Sequence, residues 1–483
     1  MTTQQAASAT VDRAARPGMT LATVAVVQFM VSLDLSVVNV GLPAIRTGLG
    51  FSAVGLTWVI HAYALTFGGL LLLGGKAVDR YGRKPVLLTG LVVFGVASLL
   101  GGFAQVPGHL VAARGLQGIG AAAAAPAALA LLTSTFPSGR ARARAFGVWS
   151  ATNAAGGALG VLIGGVLTQY AGWRWVMLVN VPMVAIVLVL AAYGVRRRDG
   201  VGATASPDIG GALLATGGLL LLVFGVVRTD QYGWASPVTA VTLVAAAALL
   251  IAFVRVEQTT RREPLLRLGL LGRRSVAGAN AYNLLLGAAM ASAFYFMSLY
   301  LQRVIGHGPA RSGVEFLPFA FGVVAGSFIT IKLGDRVANR RFLIVGGLMT
   351  AIGFGWFALI SPDGSFGVDV LGPSVVASVG FGLCLGPVVS TATHGVDPSE
   401  AGTASGLLNS SRQIGASVGL AVLGTLAQRR TGEVPTAESL TAGYALGLGI
   451  SAALFLAAVL IAVTVIPRTV NTPEPRNHRS DSR

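Results

Sequence analysis

Three polar side chains stand inside long apolar stretches of this 483-residue chain, where charge is costly. Asp34 lies in LDLSVVNVGLP at 33–43, and Arg114 and Gln117 lie in ARGLQGIGAA at 113–122. A carboxylate near the middle of a bilayer costs roughly 2.5–3.5 kcal/mol on insertion scales, so such a group is kept when it does something or when it can become neutral. A carboxyl that gains and loses a proton there has the chemistry of a proton carrier. A structural acid paired inside a bundle is the plainer alternative. Arg114 is the natural partner. At about 1.5 Å per residue, Arg114 sits roughly 6 Å, Gln117 roughly 10 Å and Asp34 roughly 12 Å below the outer ends of their stretches, and a guanidinium arm spans that difference. Snorkelling of Arg114 to the outer interface is the competing reading. His61 lies at comparable depth in the second stretch. An unperturbed histidine titrates at about pH 6.5, which makes it a candidate for holding or relaying a proton.

Two more charges interrupt apolar sequence in the second half. Glu315 opens the tenth stretch, either as an interfacial acid or as a second charge facing a substrate cavity. Arg412 lies in NSSRQIGASVG at 409–419, where Ser410, Ser411 and Gln413 are placed to satisfy it locally. Together with Gln117, Glu315 and Arg412 are the cavity and substrate candidates.

The elements that must hold these groups are membrane spans. The chain is 54% hydrophobic and 11% charged, with a mean hydropathy of +0.73, whereas soluble domains carry about 25% charged residues. Fourteen apolar runs are long enough to cross a bilayer, at approximately 19–42, 56–74, 85–103, 110–136, 145–170, 175–195, 209–227, 237–254, 275–301, 313–331, 342–360, 371–391, 402–426 and 440–466. A crossing needs about 20 residues, so these runs use up most of the chain. The net charge of +17 does not indicate nucleic acid, because the basic residues fall in short connections. With the N-terminus inside, 26 of the Lys and Arg residues lie in inner segments and 7 in outer loops. That asymmetry places both termini in the cytoplasm.

The expected organisation is an all-α membrane protein of two six-helix bundles with two extra helices between them. The parts are a tail at 1–18, a first bundle at 19–194, a linker with two spans at 195–274, a second bundle at 275–466 and a tail at 467–483. Basic segments at 196–200 and 261–274 flank the extra pair. Cys384 is alone, so the chain forms no internal disulfide. No HExxH, GxSxG or CxxC pattern is present, and Gly75-Lys76 continues into no phosphate loop. Enzyme chemistry, a metal and an organic cofactor are therefore not expected.

Charge and glycine cluster between the second and third runs, in LGGKAVDRYGRKP at 73–85. The spacing Gly75-x3-Asp79-Arg80-x-Gly82-Arg83-Lys84 places a short charged connection at the membrane surface, with glycines where the chain turns. A fainter echo, Asp335-Arg336-x2-Asn339-Arg340-Arg341, stands between runs ten and eleven and suggests internal duplication. In the fifth run Gly156, Gly160 and Gly164 recur every fourth residue, with Gly157 and Gly165 as a second row. Small residues at this interval let helices approach closely and slide.

These motifs resemble those of the major facilitator superfamily, in particular its drug:H⁺ antiporters with fourteen spans. The 73–85 stretch resembles motif A, RGLQGIGAA resembles motif B, LDLSVVNVGLP is similar to the family's helix 1, AGWRWVMLVNVP at 171–182 to its helix 5–6 join, and SRQIGASVGLAVLG to its helix 13. The resemblance implies the facilitator fold, alternating access by two rocking bundles, and proton coupling through Asp34 and Arg114. It implies that Asp79 bonds helix ends across the bundles, while Arg80 and Arg83 anchor the loop at the inner gate. It also implies protons as the coupling ion without a cofactor, a small-molecule substrate, and a bacterial cytoplasmic membrane. The expected function is efflux of small hydrophobic or cationic compounds such as antibiotics, by a chain that works as a monomer. Transport of a specific metabolite and a non-transporting membrane sensor are the alternatives. One position departs from the family. The helix 5 motif usually reads Gly-Pro-x-x-Gly-Gly, and here it is Gly160-Val161-x-x-Gly164-Gly165, without the proline kink.

Overall fold

A computed structural model describes residues 17–52, 55–136, 139–195, 209–259, 268–334, 336–396, 401–432 and 434–468. Among them the regular structure is helical throughout. The first helices are α1 (Pro17–Leu49), α2 (Trp58–Tyr81), α3 (Arg83–Gly102), α4 (Pro107–Thr135), α5 (Gly139–Tyr170), α6 (Arg174–Leu178), α7 (Asn180–Gly194), α8 (Ile209–Tyr232) and α9 (Pro237–Thr259). They are followed by α10 (Leu268–Leu271), α11 (Arg274–Leu299), α12 (Pro309–Glu315), α13 (Leu317–Leu333), α14 (Asn339–Phe357), α15 (Gly372–Thr393), α16 (Ala401–Thr431) and α17 (Ala437–Thr464). Each of the fourteen apolar runs is occupied by helix, and among the described residues 11 helical segments are long and apolar enough to cross a membrane. The other three runs lie on α5, α14 and α16. The basic segment 196–200 and the first half of 261–274, residues 261–267, lie outside the described residues.

Proline sets the two interruptions within spans. Pro182 has no N–H, and its ring crowds the carbonyl four residues back, at Leu178, where α6 ends. Pro318 does the same beside the break between α12 and α13. Helix α5, with Val161 in place of the expected proline, is unbroken for 32 residues, and α1 and α4 are likewise unbroken around the internal Pro43 and Pro126.

The chain divides into two units. The first comprises Met1–Leu266 with His307–Val314, and the second Arg267–Gly306 with Glu315–Arg483. The extra pair α8 and α9 belongs to the first, where α8 packs on α2. Both units follow one packing plan. In the first, α1 packs on α5 and α7, α4 on α2 and α3, and α3 on α7. In the second, α11 packs on α16 and α17, α15 on α13 and α14, and α14 on α17. The charged echo of the 73–85 motif fits this repetition. Lys84, at the start of α3, donates to the Ala192 and Val195 carbonyls at the end of α7, at 3.0 and 2.7 Å. Arg340, at the start of α14, donates to the carbonyls of Ala462, at 2.9 Å, and Val463 near the end of α17. Each unit thus ties its third span to the last carbonyls of its sixth, which have no partner within their own helix.

The apolar side chains sort as a bilayer requires. Phe94, Leu132 and Val187 fill the interior of the first unit. Val96, Ile186, Val241, Phe321 and Phe328 stand exposed on the outside. So much exposed apolar surface would be a liability in water, and in lipid it is the matching solvent.

Candidate functional site

The first unit closes around Asp34. Its carboxylate is fully buried and is met by three donors from two other helices. Arg114 Nη1 donates to Oδ2 at 2.6 Å. Asn180 Nδ2 donates to Oδ1 at 2.7 Å, and Gln117 Nε2 reaches the same oxygen at 3.3 Å. Arg114 is held in turn. Its Nη1 also donates to Gln117 Oε1 at 2.8 Å, its Nε donates to the Val59 carbonyl at 3.0 Å, and its guanidinium lies 4.3 Å above the centre of the Tyr63 ring. Gln117 Nε2 donates to Ser98 Oγ at 2.7 Å, and Ser98 donates back to the Phe94 carbonyl. The cluster therefore draws on α1, α2, α3, α4 and α7.

Every contact on the carboxylate comes from a donor, so this is the arrangement of an ionised acceptor. In a low-dielectric interior such a pair stays put only when its remaining hydrogen-bonding positions are also filled. Gln117, Asn180 and the Val59 carbonyl fill them. A buried ion pair of this build is strongly destabilised by removal of one partner. Snorkelling of Arg114 is excluded, since its side chain is 2% exposed and turned to Asp34.

Sequence spacing brought Asp34, Arg114 and Gln117 to matching depth, and the structure brings all three together. Asn180, Ser98 and Tyr63 were missed. Asn180 had a signal in the sequence, as the asparagine that follows the WRW segment and starts the helix broken by Pro182.

His61 does not join. Its ring is fully buried against Trp58, edge to face at 5.7 Å, and neither ring nitrogen has a hydrogen-bond partner among the described residues. Trp58 in turn packs on Phe224 of α8. His61 thus occupies the α2 face turned to the extra helices, whereas Tyr63, two residues on, faces the cluster.

The 73–85 motif takes a different form from the expected loop. Helix α2 continues to Tyr81 and α3 starts at Arg83, so the connection is the single residue Gly82, at φ +88°. Asp79 and Arg80 belong to the last turn of a helix, and Arg83 and Lys84 to the first turn of the next. Gly75 allows no close approach, since a side-chain carbon there would meet nothing. Its neighbour Gly74 makes that contact, directly against the Ala122 carbonyl of α4. Lys84 is the staple described above. The side chain of Asp79 lies outside the described residues.

The glycine row of α5 packs backbone to backbone on α1. A carbon added at Gly156, Gly160 or Gly164 would lie 2.6, 2.9 or 2.7 Å from the carbonyl oxygens of Phe29, Leu33 and Val37. The row therefore presses on the stretch of α1 that carries Asp34. Gly165 instead meets the Pro309 backbone, and Gly157 has ordinary space, 3.9 Å from Ser36.

In the second unit Glu315 is buried where α12 breaks, lining an apolar crevice with Met290, Phe294, Phe316 and Phe319. Arg412 is half-buried on α16. The local help expected for it is not given. Ser411 donates to Asn280 Oδ1 at 2.7 Å, Gln413 Nε2 is buried without a partner, and no described residue bonds Arg412. No group of three His, Cys, Asp or Glu side chains that could hold a metal occurs among the described residues.

Eleven candidate spans among the described residues, with an ion pair buried among those of the first unit, define a polytopic helical membrane protein. The chain belongs to the Major Facilitator Superfamily, which it matches over residues 24–420. It is 40% identical to the cephamycin export protein CmcT of Amycolatopsis lactamdurans, over 92% of each chain. It is 37% identical to the puromycin resistance protein pur8 of Streptomyces alboniger, over 92% of this chain and 90% of that one. It is 36% identical to the methylenomycin A resistance protein of Bacillus subtilis, over 82% and 84%. Among solved structures, the peptide transporter POT superposes with a TM-score of 0.66 at 17% identity, covering 92% of this chain and 95% of that one. The nucleoside transporter NupG superposes with a TM-score of 0.65 at 11% identity, covering 94% and 100%. These two share the fold.

Proposed function

We propose that this protein exports small hydrophobic or cationic compounds of the antibiotic type across a bacterial cytoplasmic membrane, in exchange for protons and by alternating access, with both termini in the cytoplasm. The observation that carries the reading is the buried carboxylate of Asp34, set in a five-helix cluster with Arg114 as its counter-charge. Relatives named for antibiotic export and resistance support the direction and the class of cargo. In this scheme Asp34 takes a proton from outside and loses it inside. Protonation removes the charge that Arg114, Gln117 and Asn180 now bond, and so releases the helices that these three hold. For a neutral compound, each proton moved inward gains about 2.3 kcal/mol per 100 mV, enough for a tens-fold gradient per proton exchanged. A monovalent cation exchanged one for one moves no net charge and draws on the pH difference alone. The 73–85 motif would govern the inner gate and the α5 glycine row the sliding of α5 on α1. The chain would act as a monomer.

The test is proton release from acidified inverted vesicles on addition of a panel of antibiotics, puromycin among them. The reading expects compound-dependent proton flux that Asp34→Asn abolishes while the variant still reaches the membrane. Normal flux in that variant would remove Asp34 from the mechanism.

A further inference from the structure

Arg412 is a cation deep in a span, and no described acidic side chain of the second unit pairs with it. It is the twelfth residue of α16, roughly 16 Å along the helix from its inner start. Even a fully extended arginine does not bring its head to the interface from there. Helix α16 packs on α11, α15 and α17. The first two and α16 itself contain no Asp or Glu, and α17 contains only Glu438, fully exposed in its first, outer turn. No hydrogen bond or ion pair reaches the guanidinium among the described residues. Charged side chains inside membrane spans are rare, almost always paired, and otherwise line a substrate path. Arg114 in the first unit obeys the rule through Asp34, and Arg412 stands outside it.

Its position on the helix fits a path. Ser405, Asn409 and Arg412 follow at intervals of four and three residues, so they share one face. All three are half-buried rather than packed away or fully exposed. Asn409 donates an amide N–H to the Ser405 carbonyl at 3.2 Å. The adjoining face is packed on α11, through Ser411 donating to Asn280, Asn283 donating to the Leu408 carbonyl, and Gly287 against the Arg412 carbonyl. The result is a planar five-donor cation on a partly buried polar stripe, with its backbone packed and its head without a partner among the described residues. A guanidinium of this kind pairs with a planar oxyanion through two parallel bonds.

We propose that Arg412 binds the carboxylate of amphipathic organic acids, so that the exported class extends to anionic and zwitterionic compounds. The inference rests on the export reading above, but it concerns binding and is measured without a proton gradient. Failure of coupling therefore does not imitate its failure. Tritiated 2-naphthoate is bound to the purified full-length protein in phosphatidylcholine nanodiscs, with unlabelled 2-naphthoate and 2-naphthamide as competitors. The expected result is a preference for the acid of tenfold or more, lost in Arg412→Gln and largely kept in Arg412→Lys. Absence of naphthoate binding, an unchanged preference in Arg412→Gln, or an equal loss of both ligands in Arg412→Gln and Arg412→Lys would overturn the proposal, the last because it marks a packing role. Displacement of naphthoate by phosphatidylglycerol in mixed-lipid discs, in wild type but not in Arg412→Lys, would assign the site to lipid phosphate and overturn it as well.

Discussion

Asn180 and Asp34 meet at 2.7 Å although 146 positions separate them. The bond joins the first span to the start of α7, at the point where Pro182 has broken the sixth. It supplies a neutral donor to the carboxylate oxygen that Arg114 does not bond.

Removing that donor is expected to weaken the cluster without dispersing it. A hydrogen bond to a charged group contributes about 1.5–3 kcal/mol, so Asn180→Ala should lower the melting temperature of the purified protein by several degrees. Asn180→Asp should be worse, because it sets a second carboxylate beside the first. Thermal unfolding in detergent, followed by intrinsic fluorescence, checks both. Equal stability of wild type and Asn180→Ala would show that the amide bond carries no net weight.

The pair itself makes a sharper prediction. Arg114→Ala leaves a buried carboxylate without its counter-charge, a change that costs about 3–5 kcal/mol. Export should be lost and expression reduced. Combining Arg114→Ala with Asp34→Asn should recover much of the protein level, because no lone charge remains, yet leave export absent. Quantitative immunoblots beside drug-efflux measurements separate the two effects.

The α5–α1 contact distinguishes neighbouring glycines. Gly160→Ala forces a methyl group against the Leu33 backbone and should destabilise by about 1–3 kcal/mol, as overpacking does. Gly157→Ala, three residues away, makes only an ordinary contact with Ser36 at 3.9 Å and should behave as wild type in stability and export. If both alanines were tolerated alike, the close packing of these two helices would be without consequence.

Lys84 should matter through its two carbonyl partners. Lys84→Ala frees the end of α7 and should cost about 1 kcal/mol, the scale of a cation at a helix C-terminus. Lys84→Arg should retain most of it. Limited proteolysis near residue 195 reads the fraying directly, and unchanged cleavage in Lys84→Ala would refute the tie.

Much of this was legible in the sequence because lipid makes charge conspicuous. Asp34 and Arg114 stood out from their apolar runs, and residue count gave their depth. What residue count does not give is the direction a side chain faces around its helix. His61 and Tyr63 lie at nearly one depth, but two residues turn a helix by about 200°, so one faces α8 and the other Arg114. Asn180 carried no charge, and a lone amide in an apolar run reads equally well as packing. The connection at Gly82 was drawn too long for another reason. Hydropathy marks where the membrane ends, while α2 continues past that edge to Tyr81.

The cluster around Asp34 reaches five helices of one unit through side chains no more than one bond removed from the carboxylate. A lone proton landing on that oxygen would slacken them together. Communication between the acid and the rest of its bundle then needs no long relay, because even the farthest of these segments lean on it through one intervening side chain.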